Sequence, residues 1–277
     1  QQLSEELRIT GKFGSAFDYQ AGLYFFKIDT ETTSRTAYGA DAGAFYATNA
    51  QYTTLNTVAG RALLQASLNN VRSTTFQNPV STSQAAFAQV DWKPVDRLTI
   101  TAGLRYTREQ KHSITTKAAS FADGTALVAV GNAAADAIRA GQLGSNFTNV
   151  SGDPIYADSV AWLVNPSFKV NADLLLYASA SGGGKSGAVA FDGTGARRNV
   201  KPEKTTDFEL GFKAQLLDHK LSLSANGYYT KVRDYQATTS IPDATSSTGF
   251  TSVLGNIPRI RARGVECPVM VAKGDGS

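Results

Sequence analysis

With 277 residues the chain can hold one large domain or two ordinary ones, and its 42% apolar share leans on Ala, with abundant Gly, Ser and Thr, a mix suited to strands and loops. No run of 18 apolar residues occurs, so no transmembrane helix is encoded; the strongest apolar stretch, LLLYASA, is far too short. The 27 basic and 23 acidic residues are spread along the chain, with only a local Arg259, Arg261, Arg263 alternation, which argues against nucleic acid as a partner, and the single Cys267 excludes an internal disulfide or a cysteine-based zinc site.

The chain opens on QQLSEELRIT, with no Met and no basic-then-apolar start, so it reads as a fragment that begins inside a strand. Over residues 5–12, Leu7 and Ile9 alternate with Glu6, Arg8, Thr10 and Lys12. A turn over residues 11–18 leads to a second strand, residues 19–30, with Ala21, Leu23 and Phe25 on one face and Tyr24 and Phe26 on the other. A polar link over residues 31–82 contains a helix-like stretch at 60–69.

Residues 83–107 carry the most informative pattern. Ala86, Ala88, Val90 and Trp92 fall on one face, and after a turn at 93–97 so do Leu98, Ile100, Ala102, Leu104 and Tyr106. Thr99, Thr101, Gly103, Arg105 and Thr107 fill the other face. Folding about Val95 predicts that Trp92 pairs with Leu98 and Val90 with Ile100. A second link, residues 112–158, is rich in turn formers, including Gly152-Asp153-Pro154, with a helix-like stretch at 133–140. A third hairpin turns at 171–173, its even-numbered face holding Val160, Trp162, Val164, Phe168, Leu174 and Leu176. In the fourth, Phe208, Leu210, Phe212, Ala214 and Leu216 alternate with Asp207, Glu209 and Lys213, turn at 217–220, and return through Leu221, Leu223 and Tyr229. A last strand is expected over residues 250–266.

Short turns (11–18, 93–97, 171–173, 217–220) alternate with long links (31–82, 112–158, 186–204, 236–249). Only an outer-membrane barrel gives all short turns to one end and all long loops to the other. Strands of roughly 10 residues or more also exceed the usual 5–6 and suit a tilted membrane span. The fold class predicted is all-β: an antiparallel transmembrane β-barrel fragment of about nine meandering strands in a curved, unclosed sheet. Val90, Trp92, Leu98, Ile100, Leu104, Tyr106, Phe208, Leu210 and Phe212 are assigned to the lipid face, with Trp92 and Tyr106 as girdle residues.

Four blocks, SQAAFAQVDWKPVDRLTITAGLRYTRE, LLLYASASGGGKSG, VKPEKTTDFELGFKAQLLDHKLSLSANGYYTKVRDYQ and NIPRIRARGVE, resemble TonB-dependent outer-membrane receptors in order and spacing, and LSEELRIT fits as well. The resemblance implies part of an active transporter in the outer membrane of a Gram-negative bacterium, a multi-pass barrel of about 22 strands around a plug. It implies a scarce bulky ligand, foremost an iron-siderophore, and as partners outer-membrane lipid, the receptor's own plug domain and the TonB complex. No cofactor, no enzymatic activity and no nucleic acid are expected. The alternatives are a passive porin-like channel, or a receptor for cobalamin, haem or saccharide; an outer-membrane enzyme and a soluble β-sandwich adhesion module are weaker rivals. The plug and the final strands of the pattern are not found here. Residues 1–266 are assigned to the partial barrel and 267–277 to a divergent or truncated tail, because Cys267-Pro268 interrupts the alternation.

Gly182-Gly183-Gly184-Lys185-Ser186 superficially suggests a phosphate-binding loop, but Ser179 stands where the first glycine is required and no helix is expected to follow. His112 and His219 are predicted at opposite ends of strands, which separates them too far for a metal site. Asp207, Glu209, Lys213 and Lys231 read as a mixed-charge lumen wall. Ligand contacts are expected from the aromatic first loop, Tyr38, Phe45, Tyr46 and Tyr52, and from the lumenal cations Arg105 and Lys213.

Overall fold

The computed structural model describes residues 1–144, 146–150, 154–191, 197–242 and 249–271. The turn glycine expected at 152 and tail residues 272–277 lie outside the described residues.

Among the described residues fourteen strands and four helices follow in chain order. Strands β1 (Gln2–Phe13), β2 (Phe17–Asp29) and β3 (Thr32–Ala37) precede helices α1 (Ala42–Tyr46), α2 (Asn49–Leu55) and α3 (Gly60–Leu68). Then come β4 (Val71–Val95), β5 (Leu98–Phe121), α4 (Ala133–Leu143), β6 (Phe147–Val150), β7 (Ile155–Lys169) and β8 (Leu174–Lys185). The chain continues through β9 (Ala188–Phe191), β10 (Arg197–Val200), β11 (Glu203–Leu216), β12 (Leu221–Pro242), β13 (Phe250–Glu266) and β14 (Val269–Val271). Nine strands form one antiparallel meander, β1-β2-β4-β5-β7-β8-β11-β12-β13, with β3, β6 and β14 added to its flanks and β9–β10 as a separate ribbon. Among the described residues β1 and β13 do not pair, so the sheet is open.

The faces of this sheet are inverted relative to a soluble one. Along β7 the even positions Tyr156, Val160, Trp162, Val164 and Phe168 are exposed, while Ala157, Ser159, Ala161 and Leu163 between them are half-buried. In β5, Leu104 and Tyr106 are exposed and Arg105 and Thr107 half-buried. A curved sheet produces this asymmetry, since side chains crowd on its concave face and splay on its convex one. The apolar residues therefore sit on the convex face with no protein against them.

The central hairpin differs in register from the sequence expectation. Its turn is only Asp96-Arg97, and an irregularity between Trp92 and Val95 shifts the ladder, so that Trp92 pairs with Ile100, Val90 with Ala102 and Ala88 with Leu104. The slip is two residues, which preserves parity and leaves every side chain on its expected face. The strands also run longer than expected. β4 starts at Val71 inside the expected link, and β5 continues to Phe121 beyond its expected end. Above Tyr106 both faces of these strands leave the apolar band, so period-2 alternation fades although the ladder continues.

The glycine run at 182–184 is regular strand through Lys185 rather than a loop. A Cβ at Gly182 would lie 2.4 Å from the Trp162 indole nitrogen, so glycine there lets the indole lie flat across the neighbouring strand. Past Cys267-Pro268 pairing resumes: Leu223 opposes Val269 in the same ladder that sets Asn226 opposite Glu266. β14 is thus a continuation of β13 across a two-residue gap.

Candidate functional site

The long-loop end carries the packed core of the described residues. Tyr38, Leu55, Leu64, Leu68, Val71, Ala135, Ile138 and Leu143 form one buried cluster contributed by α2, α3, α4, the start of β4 and the residue that follows β3. Two of these helices have a side-chain cap at their start. Thr48 and Gln51 make a reciprocal capping box at α2, the Thr48 hydroxyl accepting from the Gln51 amide at 3.3 Å and Gln51 Oε1 accepting from the Thr48 amide at 2.8 Å. Asn132 Oδ1 accepts from the amides of Ala134 and Ala135 at 3.0 and 3.2 Å and starts α4.

Arg139 ties the two loops of this cap together. Its side chain is buried, and Nε and Nη2 donate to the carbonyls of Ser67 and Ala66, each at 2.7 Å, while Nη1 donates to Val128. Ala66 and Ser67 lie in the last turn of α3, where carbonyls lack a partner within the helix and form the negative end of its dipole. A cation from the second loop thus closes a helix in the first, and its guanidinium also lies 5.7 Å from the Phe121 ring centroid. Sequence reasoning missed Arg139. The available signal was its place in the apolar stripe of α4, at the spacing Ala135, Ile138, Arg139, Leu143.

Below the cap the concave face is polar and aromatic. Arg105 lies over Tyr24 at 5.0 Å and near Phe87 at 5.8 Å, with Nε donating to the Thr107 hydroxyl at 3.2 Å. Phe87 in turn covers Gly22, where a Cβ would meet its ring at 2.6 Å. Across the sheet, Glu209 accepts from the Tyr177 hydroxyl and from Asn226 Nδ2, the latter at 2.6 Å, and Lys213 stands 5.8 Å from the Tyr177 ring centroid. At the short-turn end Asp18 pairs with Lys93 and, at 3.5 Å, with Lys12, and Thr101 donates to Asp91 at 2.6 Å. Beneath them on the convex face the Phe17 and Trp92 rings stack at 6.3 Å.

The residues expected to contact ligand therefore separate into three environments. Tyr38 is buried in the cap core, its hydroxyl accepting from Gln142 at 3.3 Å, and Tyr46 packs against it edge-on at 6.0 Å. Phe45 and Tyr52 are exposed on the cap, at 77% and 41%. Arg105 and Lys213 lie on the concave wall on different strands. Val90, Trp92, Leu98, Ile100, Leu104, Tyr106, Phe208, Leu210 and Phe212 share the convex face by register. Lys231 does not belong to the lumen wall. It pairs with Thr206 one step from Phe208–Tyr229, which puts it on the convex face, because the odd parity of Leu221 and Tyr229 continues through it. His112 is not at a strand end as expected, because β5 continues nine residues past it to Phe121; His219 lies in the turn after β11, 3.8 Å from Asp173. Among the described residues no cluster of three metal-ligating side chains occurs.

Comparison with known proteins gives a consistent result. The family model described as TonB dependent receptor-like, beta-barrel matches residues 3–267. No curated protein matches the chain in sequence. Among solved structures it is similar to the ferric yersiniabactin uptake receptor FyuA from Yersinia pestis, at TM-score 0.62 and 18% identity over 97% of this chain and 32% of that one. It is also similar to the ferric-catecholate import receptor Fiu from E. coli K12 in its closed form, at TM-score 0.56 and 13% identity over 98% of this chain and 35% of that one. The chain spans about a third of the length of these structures.

Proposed function

Given that this chain belongs to the TonB-dependent receptor β-barrel family, an outer-membrane family of transporters and receptors, we propose that it is part of the wall and cap of an active transporter that takes up an iron-siderophore. The observation that carries the reading is the inverted sheet: its exposed face is apolar and its shielded face polar, as a wall between lipid and an aqueous lumen requires. The span between Leu98 and Tyr106, eight residues at ~3.3 Å and ~45° of tilt, is roughly 19 Å, which suits an apolar band of about 25 Å. The names of the two solved relatives, one for ferric yersiniabactin and one for ferric catecholate, support iron-siderophore as the ligand class.

In this reading Phe45 and Tyr52 offer ring faces at the cap for first contact, and Tyr38 and Tyr46 hold the loop that presents them. Arg105, held by two rings and a hydroxyl, presents a fixed positive charge on the lumen wall for an anionic ligand or for the plug. The polar lower wall around Asp18, Lys93 and Asp91 faces the level at which a plug would sit. No step of chemistry falls to these side chains; their work is binding and orientation.

The test is uptake of radiolabelled ferric siderophores by iron-limited cells that carry or lack the gene. Accumulation should require the gene and collapse when a protonophore discharges the inner-membrane gradient. Gene-dependent entry that survives the protonophore would instead identify a passive channel.

A further inference from the structure

The hairpin formed by β8 and β11 does not end with the wall. Lys185 opposes Glu203 in that ladder, and β9 and β10 continue the same register, with Ala188 opposite Val200 and Phe191 opposite Arg197. The ribbon is therefore the upper part of one hairpin, bent at Ser186-Gly187 on one arm and at Lys201-Pro202 on the other. The bend leads inward. β9 touches β5 and β10 touches β13, although β7 and β12 are the strands that flank β8 and β11. Lys111 Nζ donates to Ser186 Oγ, and Lys111 shares the odd parity that puts Arg105 on the concave face. The ribbon thus crosses β7 and β12 on the lumenal side of the sheet. Val71 and Phe121, which support the cap, lie on that concave face too, so cap and ribbon overhang the same lumen.

Two side-chain amides fix the bend. Gln236 on β12 donates through Nε2 to the carbonyls of Ser186 at 2.8 Å and of Lys201 at 3.0 Å, one on each arm. Its own backbone amide donates to Glu203 Oε2 at 2.9 Å. Its register partner on β13, Asn256, accepts from the Lys201 amide at 2.8 Å and donates to the Lys201 carbonyl at 3.0 Å and the Asp234 carbonyl at 2.7 Å. Backbone groups that leave their ladder at the bend are thereby satisfied by side chains. Packing closes the corner. Gly187 is buried, and a Cβ there would lie 2.5 Å from the carbonyl oxygen of Val200, itself 4% exposed. On the other arm Pro202 fixes its own φ and has no N–H to give a ladder.

We propose that the β9–β10 ribbon is a fixed strut across the lumen mouth, that Gln236 and Asn256 are the residues that position it, and that it limits the girth of a ligand reaching the wall below. A lid turns on a few residues that absorb a large change in φ and ψ. Here both arms of the bend are held by side chains from two further strands, one arm carries a proline, and the glycine of the other is packed against a carbonyl. Two paired strands are about 10 Å wide, and the ribbon takes that width from the passage. A ligand bound for Arg105 or Lys213 must clear the space that cap and ribbon leave between them. The inference rests on the transporter reading above.

The test uses the intact receptor that carries this chain, in iron-limited cells and with Cys267→Ser as background. Ser181→Cys, on the concave face of β8 below the bend, reports what reaches the wall. A short maleimide added outside the cells should label it, and a long maleimide-polyethylene glycol should label it at least tenfold more slowly. Gln236→Glu, which keeps the side chain's shape and removes its donor, combined with Asn256→Ala should abolish that difference. Equal labelling by both reagents without these two substitutions overturns the proposal, as does a size difference that survives them. Lys111→Cys and Ser186→Cys, joined by a short reducible cross-linker, lock the ribbon in place. The locked receptor should accumulate radiolabelled ferric siderophore within twofold of the same receptor after reduction. Uptake that falls at least tenfold and returns on reduction identifies a moving lid and overturns the strut. Should the variant at Gln236 and Asn256 fail to insert, the two maleimides on the Ser181→Cys receptor and the cross-link decide. A receptor that shows the size difference yet accumulates no ferric siderophore overturns the transporter reading alone.

Discussion

The cap and the wall of this chain satisfy the hydrophobic effect in opposite ways. The cap buries Leu55, Leu64, Leu68, Ile138 and Leu143 against one another, as a water-soluble domain does. The wall leaves Leu104, Val160, Phe208 and Leu210 exposed along a sheet one layer thick, and their burial awaits a solvent that is itself apolar. One region is therefore specified by its own packing and the other by what surrounds it. Mutations should act on the two independently, and the medium should matter only to the wall.

The largest effect is expected from Arg139→Met. It strands the carbonyls of Ala66, Ser67 and Val128 in a buried site, at about 1–3 kcal/mol per unmade hydrogen bond, so that the cap loses about 4 kcal/mol. Hydrogen exchange should show cap amides opening while those of β7 and β11 keep their protection; if both regions open together, they are one cooperative unit and the distinction fails. Leu68→Ala, at a fully buried position, should cost the cap about 3 kcal/mol by the same readout. Leu210→Arg sharpens the other side of the contrast. At a wall position 70% exposed, it should be tolerated in detergent-free water but cost about 2–4 kcal/mol in a bilayer, measured by folding equilibria in lipid vesicles. Thr48→Ala should remove about 1 kcal/mol from α2 alone, seen as faster exchange of the Gln51 amide.

The smallest effect is electrostatic and confined to the cap loop. Asp123 accepts from the Thr125 amide at 2.9 Å and from its hydroxyl at 2.7 Å, and these bonds hold its carboxyl below the ordinary carboxylate value. A depressed folded-state value contributes stability that is present above the unfolded value and lost as pH falls through the folded one. Protection of the Thr125 amide should therefore be constant at neutral pH and fall away only in that acid window, and Asp123→Asn should abolish the pH dependence.

The wall was far more legible in the sequence than the cap, for the same physical reason. A strand between lipid and water must alternate at every step, so Leu98 to Tyr106 and Phe208 to Leu216 state their faces without further information. Above the band that constraint lifts, and the upper halves of β4 and β5, from Val71 and up to Phe121, merged into apparent loop. Helices of five and seven residues, α1 and α2, are too short to show a period, whereas the longer α3 and α4 were visible as helix-like stretches. The turn register was missed because a two-residue turn with an irregularity between Trp92 and Val95 sets the ladder two residues from the expected pairing without changing any composition. As to the candidate site, the aromatic residues of the first loop were visible, but nothing local distinguishes Tyr38, which is core, from Phe45, which is surface. That difference depends on α4, a hundred residues away.

The length of β4 and β5 has a consequence for how a ligand meets this protein. Their 25 and 24 residues, at ~3.3 Å and ~45° of tilt, reach roughly 55 Å, which leaves about 30 Å standing above an apolar band of about 25 Å. At physiological ionic strength the Debye length is about 8 Å. The cap therefore stands nearly four screening lengths clear of the membrane plane, and the field of a charged membrane surface is screened out at that height. In the proposed reading, a ligand would meet Phe45 and Tyr52 on the cap beyond the reach of any field from the membrane surface.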